Sequence, residues 1–301
     1  MLELLEERET SYLHVRRFGR GARPDGTYER HIVLNTAHDG SPRLFETQHP
    51  ELFRHLAEKN EGGADQVHAY LTLERDIFAR LLASAVRGIL SRALPSVEIF
   101  SVNQRTPRGL VDPNREVVPN AQGVIPAVRS CVGAYPDDAE IRQILASIAE
   151  GHAAVDAFMT QHPDAVLGDI HTMWHANPLP GADATPDRLL VYVNRFLNGT
   201  CPRPDNLVVC GQDPAVFARF LPNFVANVPY GKPEEMHGIQ AGNWLAQYGR
   251  RVLCVDIPKA NLGSGRRLPV DFEADSEKIK LYATWIAQAL IGKPLEVGQA
   301  A

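Results

Sequence analysis

The sequence predicts an α/β fold in which a mixed, mostly parallel sheet is flanked by helices. Short apolar segments typical of buried strands occur at 31–36, 97–102 and 251–257. Between them lie segments with the three- and four-residue spacing of amphipathic helices, the clearest from Asp137 to Met159. Because strands alternate with helices along the chain, we expect a largely parallel sheet.

The N-terminal half is predicted to contain one long helix and two less regular segments. Residues 1–30 are charged and rich in arginine, and we expect an arm or an edge strand there. Residues 41–70 are polar and loop-rich, with a short helix expected inside 50–59. A helix is predicted from Thr72 to Arg92, because Thr72 can cap it, apolar residues recur at helical spacing and Pro95 ends it.

The C-terminal half continues the alternation of strands and helices. Proline is frequent between 103 and 135, so we expect a long irregular loop, and such loops in compact domains usually carry function. Apolar runs and amphipathic spacing predict strands at 189–193 and 207–210 and helices near 214–220, 235–248 and 275–291.

Composition and charge narrow the class of protein. The chain has 301 residues, 44% hydrophobic and 22% charged, which is enough for one α/β domain over 31–292 with a flexible tail at 293–301. The net charge of −5 is unlike the basic footprint of a nucleic-acid-binding protein. No apolar run approaches the roughly 18 residues of a membrane span, and no signal peptide is expected. Four cysteines without paired spacing indicate a reduced, cytoplasmic protein.

Polar side chains follow two of the predicted strands at the point where each strand ends. His38 follows the strand at 31–36, and Asp169 and His171 follow the apolar run at 165–167. The segment 112–115, Asp-Pro-Asn-Arg, lies between them in the sequence. Sites in open α/β sheets form at the carboxyl ends of strands. Two histidines in such positions suggest a metal site, and the Asn-Arg pair suggests a clamp for a carboxylate.

Four short motifs occur in order: Ala37-His38-Asp39-Gly40, Arg75-Asp76-Ile77-Phe78-Ala79, Arg108-Gly109-Leu110-Val111-Asp112-Pro113-Asn114-Arg115 and Gly168-Asp169-Ile170-His171-Thr172. Together they resemble the N-formylglutamate amidohydrolase family, over residues from about 31 to 260. The resemblance implies the phosphorylase/hydrolase-like architecture that this family shares with zinc carboxypeptidases and aspartoacylases. The chain departs from the family pattern in lacking a proline before His38 and in having Thr172 where serine is usual.

The resemblance also implies one Zn²⁺ per chain, bound by His38 and His171. Asp76 matches the family position of the third ligand, at the expected start of a helix. Alternatively, Asp76 is an ordinary exposed acidic residue on a helix and binds no metal. Other acids compete for the third position: Glu46, Asp65 and Glu74.

Substrate binding and proton transfer are assigned through the same resemblance. Arg108, Asn114 and Arg115 would hold a substrate carboxylate. The alternative is an arginine that forms a salt bridge with Asp112 or Glu116 on a loop. Asp256 lies in the closest counterpart of the family's Gln-x-Glu strand, with a side chain one methylene shorter than glutamate. As a catalytic residue it would move protons between water and the leaving amine, and Glu235 is the alternative.

These assignments imply a cytoplasmic, zinc-dependent hydrolase acting on C–N bonds. The expected substrate is an N-acyl amino acid or another small amide or short peptide with a free carboxylate. Nucleic acid and membrane are not expected partners, and the oligomeric state stays open. A metallocarboxypeptidase-like peptidase and a non-catalytic carboxylate-binding protein that has lost the metal remain as alternatives.

Overall fold

The computed structural model describes residues 2–38, 40–128, 138–173, 208–210, 225–226, 238–259, 262–264 and 273–295. Several predictions fall outside these ranges: the strand at 189–193, the helix at 214–220, Glu235 and most of the tail at 293–301. They stay predictions.

The main sheet is mixed, and its centre is parallel. Its described strands are Glu3–Glu9 (β1), Leu13–Arg20 (β2), His31–Thr36 (β3), Val97–Gln104 (β4), Val166–Met173 (β5), Val208–Cys210 (β6), Val225–Ala226 (β7) and Val252–Pro258 (β8). Across the sheet they run in the order β1-β2-β4-β3-β5-β8-β6-β7, with β4, β3, β5 and β8 mutually parallel. The hairpin β1–β2 forms one antiparallel edge, and the pair β6–β8 is also antiparallel. A small antiparallel pair joins Gly263–Ser264 (β9) to Glu273–Ala274 (β10). The predicted fold class is confirmed.

The described helices are Pro42–Gln48 (α1), Pro50–Glu58 (α2), Gly63–Glu74 (α3), Ala79–Ala93 (α4), Asp138–Gln161 (α5), Gly238–Tyr248 (α6) and Ser276–Ile291 (α7). The predictions for α5 and α7 are confirmed to within about two residues. Asp275 caps α7, because its carboxylate accepts the backbone N–H groups of Glu277 and Lys278.

Helices cover both faces of the parallel strands. On one face, Leu34, Ile170 and Val255 pack in a core with α4 and α7. On the other face, Val33 and Leu167 pack in a core with α5 and α6. Strands buried on both faces have almost continuous apolar sequences, which is why the apolar runs located β3, β5 and β8. In the part of the chain that the structure describes, no helix is long and apolar enough to cross a membrane.

The single helix predicted from Thr72 to Arg92 is wrong. α3 ends at Glu74 and α4 begins at Ala79, and we call residues 75–78 the helix break. Phe78 has a φ of 76°, in the left-handed region, so the helix cannot continue through it. Thr72 does not cap a helix there, because its hydroxyl donates to the carbonyl of His68 within α3. Apolar residues do recur at helical spacing on both sides of the helix break. Such spacing cannot show that a few residues between two helices are not helical.

The expectation of a mostly irregular segment at 41–70 is also wrong beyond its short helix. α1, α2 and most of α3 lie there, and a buried cluster that includes Phe45, Leu52 and Val67 joins them. Proline occupies the first turn of α1 and of α2, where its missing N–H costs no helical hydrogen bond. The prolines therefore mark helix starts here, not loop.

Candidate metal centre

The helix break is fixed against the carboxyl ends of three parallel strands. The N–H of Asp76 donates to the carbonyl of His38, after β3, at 2.9 Å. The hydroxyl of Thr172, in β5, donates to the carbonyl of Ile77 at 2.8 Å. Lys259, after β8, donates through Nζ to the carbonyl of Arg75. These bonds replace helical ones and bury the Asp76 side chain above the strand ends.

The turn after His38 needs a glycine because two backbone segments meet there. A Cβ on Gly40 would lie 2.3 Å from the carbonyl oxygen of Arg105 and 2.5 Å from the nitrogen of Pro107. Backbone atoms at that distance cannot move aside as a flexible side chain can. The glycine thus lets the loop that follows β4 pack beside His38.

Three of the predicted site residues lie together at this edge of the sheet. His38, Asp76 and His171 are all buried, and each offers one ligand atom within 4.8 Å of those of the other two. The imidazole centroids of His38 and His171 are 5.1 Å apart. Two imidazoles and a carboxylate, with a fourth position left for water or substrate, are the donor set of many catalytic zinc sites. These residues could hold a metal ion.

His171 is oriented by a second carboxylate. Its Nε2 lies 3.1 Å from Asp169 Oδ2, and its Nδ1 lies 3.1 Å from Asp76 Oδ2. Asp169 is in turn held by Asn35, whose Nδ2 donates to Oδ1 at 2.8 Å. Burial alone would lower the pKa of His171, but Asp169 and Asp76 outweigh it and raise the pKa well above its usual value. A carboxylate behind a histidine is the usual support of a metal ligand, and it leaves Nδ1 facing the cluster.

His38 is the least satisfied group of the cluster. Its side chain is 0% exposed, and neither ring nitrogen has a hydrogen-bond partner among the described residues. Asp112 Oδ1 lies 3.8 Å from Nε2, beyond hydrogen-bonding distance. Burial, with the nearby Arg108, lowers the pKa of His38 to about 3, so the ring is neutral and has a free lone pair. A buried polar group left this way costs about 1–3 kcal/mol, which a metal ion would offset.

The acids that competed with Asp76 lie elsewhere. Glu46 is paired with His68 at 3.0 Å on the surface, and Asp65 is exposed in the first turn of α3. Glu74 ends α3 just before the helix break and is not among the residues that surround His38 and His171. Of the four candidates, Asp76 is the one placed with both histidines.

Asp256 lies directly beside His171. The two residues are paired in register on β8 and β5, so their side chains share one face of the sheet. Burial and the charge of Asp76 raise the pKa of Asp256 to about 6. A carboxyl group with this pKa can change protonation state near neutral pH. Glu235, the alternative, lies outside the described residues.

The proposed carboxylate clamp lies partly at the metal cluster and partly beside it. Arg108 is 35% exposed, with Nη1 3.9 Å from Asp76 Oδ1 and Nε 3.6 Å from Asp112 Oδ2. Arg115 is 49% exposed and donates through Nε to Asp112 Oδ2 at 3.3 Å. Asn114 is buried, and its backbone N–H donates to Asp112 Oδ1 at 3.0 Å. Asp112 therefore contacts all three residues of the proposed clamp, and Arg108 is the one nearest to His38, Asp76 and His171.

Lys259 is a buried residue of this region that sequence reasoning missed. It is fully buried beyond the end of β8, where burial lowers its pKa to about 7. The available signal was a lysine placed directly after an apolar strand, much as His38 lies just beyond the end of β3. Asn35, an amide inside the apolar strand β3, was a second such signal.

Solved structures share this fold, although no protein-family model and no curated protein matches the chain. A crystal structure of N-formylglutamate amidohydrolase from Ralstonia eutropha JMP134 matches with a TM-score of 0.54 at 18% identity, over 94% of this chain and 97% of that one. A gene product of Agrobacterium tumefaciens matches with a TM-score of 0.51 at 15% identity, over 93% of this chain and 94% of that one. A metallo-carboxypeptidase from Burkholderia cenocepacia aligns at 0.38 and 13% identity, over 97% of this chain and 64% of that one, a score too low to establish a common fold.

The chain is therefore an α/β protein with the fold of an amidohydrolase. The resemblance to N-formylglutamate amidohydrolase that the motifs indicated is confirmed at the level of the fold.

Proposed function

We propose that the chain is a zinc-dependent amidohydrolase that cleaves the amide bond of an N-acyl amino acid or a similar small amide with a free carboxylate. The observation that carries this proposal is His38, a buried neutral imidazole whose two nitrogens have no hydrogen-bond partner among the described residues. It faces Asp76 and His171, which complete a donor set suited to zinc.

His38, Asp76 and Nδ1 of His171 would hold the metal. Bound there, zinc would polarise the amide carbonyl and lower the pKa of a water towards about 7. Asp169, whose Oδ2 lies 3.1 Å from Nε2, would keep the His171 ring oriented with Nδ1 towards the metal.

Asp256 would transfer the proton. It lies beside His171, and its pKa of about 6 suits both acceptance of a proton from the attacking water and donation to the leaving amine. Glu235 remains the alternative for this role. Replacement by the corresponding amide distinguishes the two residues. Only the one that transfers the proton should lose activity, in Asp256→Asn or in Glu235→Gln.

Arg108 would be the main contact of the substrate carboxylate. Its guanidinium reaches from the loop after β4 towards Asp76, and about a third of the side chain is open to solvent, from which substrate would arrive. A guanidinium can bind a carboxylate with two parallel hydrogen bonds, which lysine cannot do. Asn114 and Arg115, held by Asp112, would support the loop or contact a more distant part of the substrate.

We further propose that no nucleic acid or membrane takes part, and that the protein acts in the cytoplasm. The four cysteines, which have no paired spacing in the sequence, support the second point.

The test is a substrate panel assayed with and without metal. N-formyl and N-acetyl amino acids, their methyl esters and dipeptides with free carboxyl termini are compared in protein purified without chelators, then after chelation and after addition of zinc. Hydrolysis of the acyl amino acids that disappears on chelation and returns with zinc supports the proposal. Faster cleavage of dipeptides would favour a carboxypeptidase-like peptidase, and binding without turnover would favour a non-catalytic protein.

A further inference from the structure

A second cluster of two histidines and one carboxylate lies at the opposite end of the parallel strands. His31 is the first residue of β3, Glu98 is paired with it in register on β4, and His162 follows α5. Their ligand atoms also lie within 4.8 Å of one another. His31 and His38 are seven residues apart in the sequence, so at about 3.3 Å per residue the two clusters are separated by roughly 20 Å.

Glu98 is the buried centre of this cluster. Its side chain is 1% exposed, and Oε1 accepts a hydrogen bond from Nε of Arg17. Oε2 faces both histidines, 3.6 Å from His31 Nε2 and 3.9 Å from His162 Nε2. These separations are longer than hydrogen bonds, and they are close to the spacing of donor atoms that share a metal ion at about 2.0–2.2 Å.

His31 is oriented as a metal ligand would be. Its Nδ1 lies 3.0 Å from Asp164 Oδ2, and a carboxylate can only accept, so the proton of the neutral ring belongs on Nδ1. Nε2 then presents a lone pair to Glu98 Oε2, which is another acceptor. Two acceptors facing each other need a cation or a proton between them. The arrangement repeats the pairing of Asp169 with His171 at the other end of the sheet.

The charges of the cluster favour a cation. Asp164 and Glu98 are opposed by a single guanidinium, that of Arg17, within this group. A divalent ion would therefore meet a net negative environment.

His162 must turn for an ion to bind. Its ring stacks on His31 with centroids 4.0 Å apart and planes 20° from parallel. The lone pair of an imidazole lies in the plane of the ring, so two stacked rings cannot both point at one ion. The His162 side chain is 21% exposed and directly follows α5, and turning it would change its ring contacts with His31 and Phe158.

We propose that His31, Glu98 and His162 bind a divalent transition metal, with zinc the best match to two imidazoles and a carboxylate. Asp164 holds His31 in position from behind, and Arg17 holds Glu98. The ion joins β3, β4 and the segment between α5 and β5, so it fastens the amino end of the sheet. It is separate from the proposed hydrolase chemistry.

The experiment measures zinc bound per chain after equilibrium dialysis, in a His38→Asn background in which the other cluster is disabled. This variant should still bind one zinc, and His38→Asn/His162→Asn should bind none. His68→Asn is the matched control, because His68 also pairs with a glutamate, at 3.0 Å, but has no second histidine in its cluster. Adding it to His38→Asn should leave one zinc bound. Circular dichroism shows whether each variant is folded.

Crystals of the unmodified chain grown with zinc give a second measurement that depends on no variant. An anomalous-scattering peak between His31 Nε2, Glu98 Oε2 and His162 Nε2 is expected, with the two rings no longer stacked. No peak at this position, or loss of all zinc from His38→Asn alone, would overturn the proposal.

Discussion

The two ends of the parallel strands carry clusters with the same donor groups in different surroundings. At the carboxyl end, His38, Asp76 and His171 are fully buried, and Arg108 and Asp256 converge on them. At the amino end, His31 and His162 are partly exposed and surround a buried Glu98. Side chains that could bind a metal ion therefore do not by themselves indicate a catalytic centre. The groups that could bind an anion or move a proton beside them make the difference.

The difference arises from how each end is built. Chain segments that leave the carboxyl ends of parallel strands turn across the same edge of the sheet, and here the helix break and the loop after β4 meet over it. The amino-end cluster is formed by residues on or just before the strands themselves. A metal ion there could hold the strands together. In the described part of the chain, however, no irregular loop covers this cluster with an arginine and with an acid of raised pKa, as at the carboxyl end.

The largest expected effect comes from removing His38. His38→Ala should lower catalytic efficiency on the best acyl amino acid by on the order of 10³-fold, about 4 kcal/mol, because polarisation by the metal is lost. The loss of catalytic efficiency in His162→Asn should be at least a hundredfold smaller, since the amino-end cluster is far from the carboxyl-end one. His68→Asn is the surface control. Steady-state kinetics decides, and equal losses at the two ends would remove the distinction between them.

Asp76 offers the next test. Asp76→Asn should weaken zinc binding at the carboxyl end by more than about 100-fold, because loss of a direct ligand should exceed the roughly 10- to 100-fold cost of losing an outer support. Asp65→Asn and Glu46→Gln serve as controls with exposed acids. Competition with a chromophoric chelator gives the affinities. If either control has the larger effect, the third ligand is not Asp76.

The two carboxylates that support histidines should have smaller, parallel effects. Asp169→Asn should weaken the metal at His171 by about 10- to 100-fold, and Asp164→Asn should do the same at His31. Only the first should also lower kcat. Zinc affinity measured in His162→Asn and His38→Asn backgrounds separates the two sites. If Asp164→Asn leaves the zinc affinity of the amino-end cluster unchanged, His31 does not need the Asp164 carboxylate to bind the ion.

The smallest expected effect concerns the carboxylate clamp. Arg108→Lys keeps the charge and loses the planar fork, so kcat/KM should fall about tenfold, or about 1.4 kcal/mol. Arg115→Lys should cost less, because Arg108 also lies 3.9 Å from Asp76 in the cluster, whereas Arg115 is paired with Asp112. Methyl esters should be poor substrates of the unmodified protein, yet esterification should add little further loss in Arg108→Ala. Equal turnover of ester and free acid would mean that the arginines are structural.

The strands, and the positions of the two histidines in the candidate metal cluster, could be predicted from short stretches of sequence. The apolar runs located β3, β5 and β8, and each histidine of the carboxyl-end cluster stood out because it followed one of these runs. Asp76 was singled out by a resemblance of motifs, while its actual position depends on the helix break. That break is fixed by hydrogen bonds to His38, Thr172 and Lys259, which are distant in sequence, so helical periodicity could not reveal it.

The amino-end cluster was invisible to sequence reasoning for a related reason. His31, Glu98 and His162 belong to three separate segments with no motif between them, and only strand pairing and the end of α5 bring them together. The sequence assigned Arg115 either to a carboxylate clamp or to an ion pair on its loop. The structure shows an ion pair with Asp112, and the clamp stays a prediction.

Zinc content provides the most direct test of the central claim, that His38, Asp76 and His171 form a metal centre. The His162→Asn variant is used so that only the carboxyl-end cluster can bind zinc. It and its His38→Ala derivative are purified without chelators, and the zinc bound per chain is measured by mass spectrometry. One zinc per chain in the first and none in the second is the predicted result, with both proteins folded by circular dichroism. A full equivalent of zinc retained by the His38→Ala protein would contradict the account.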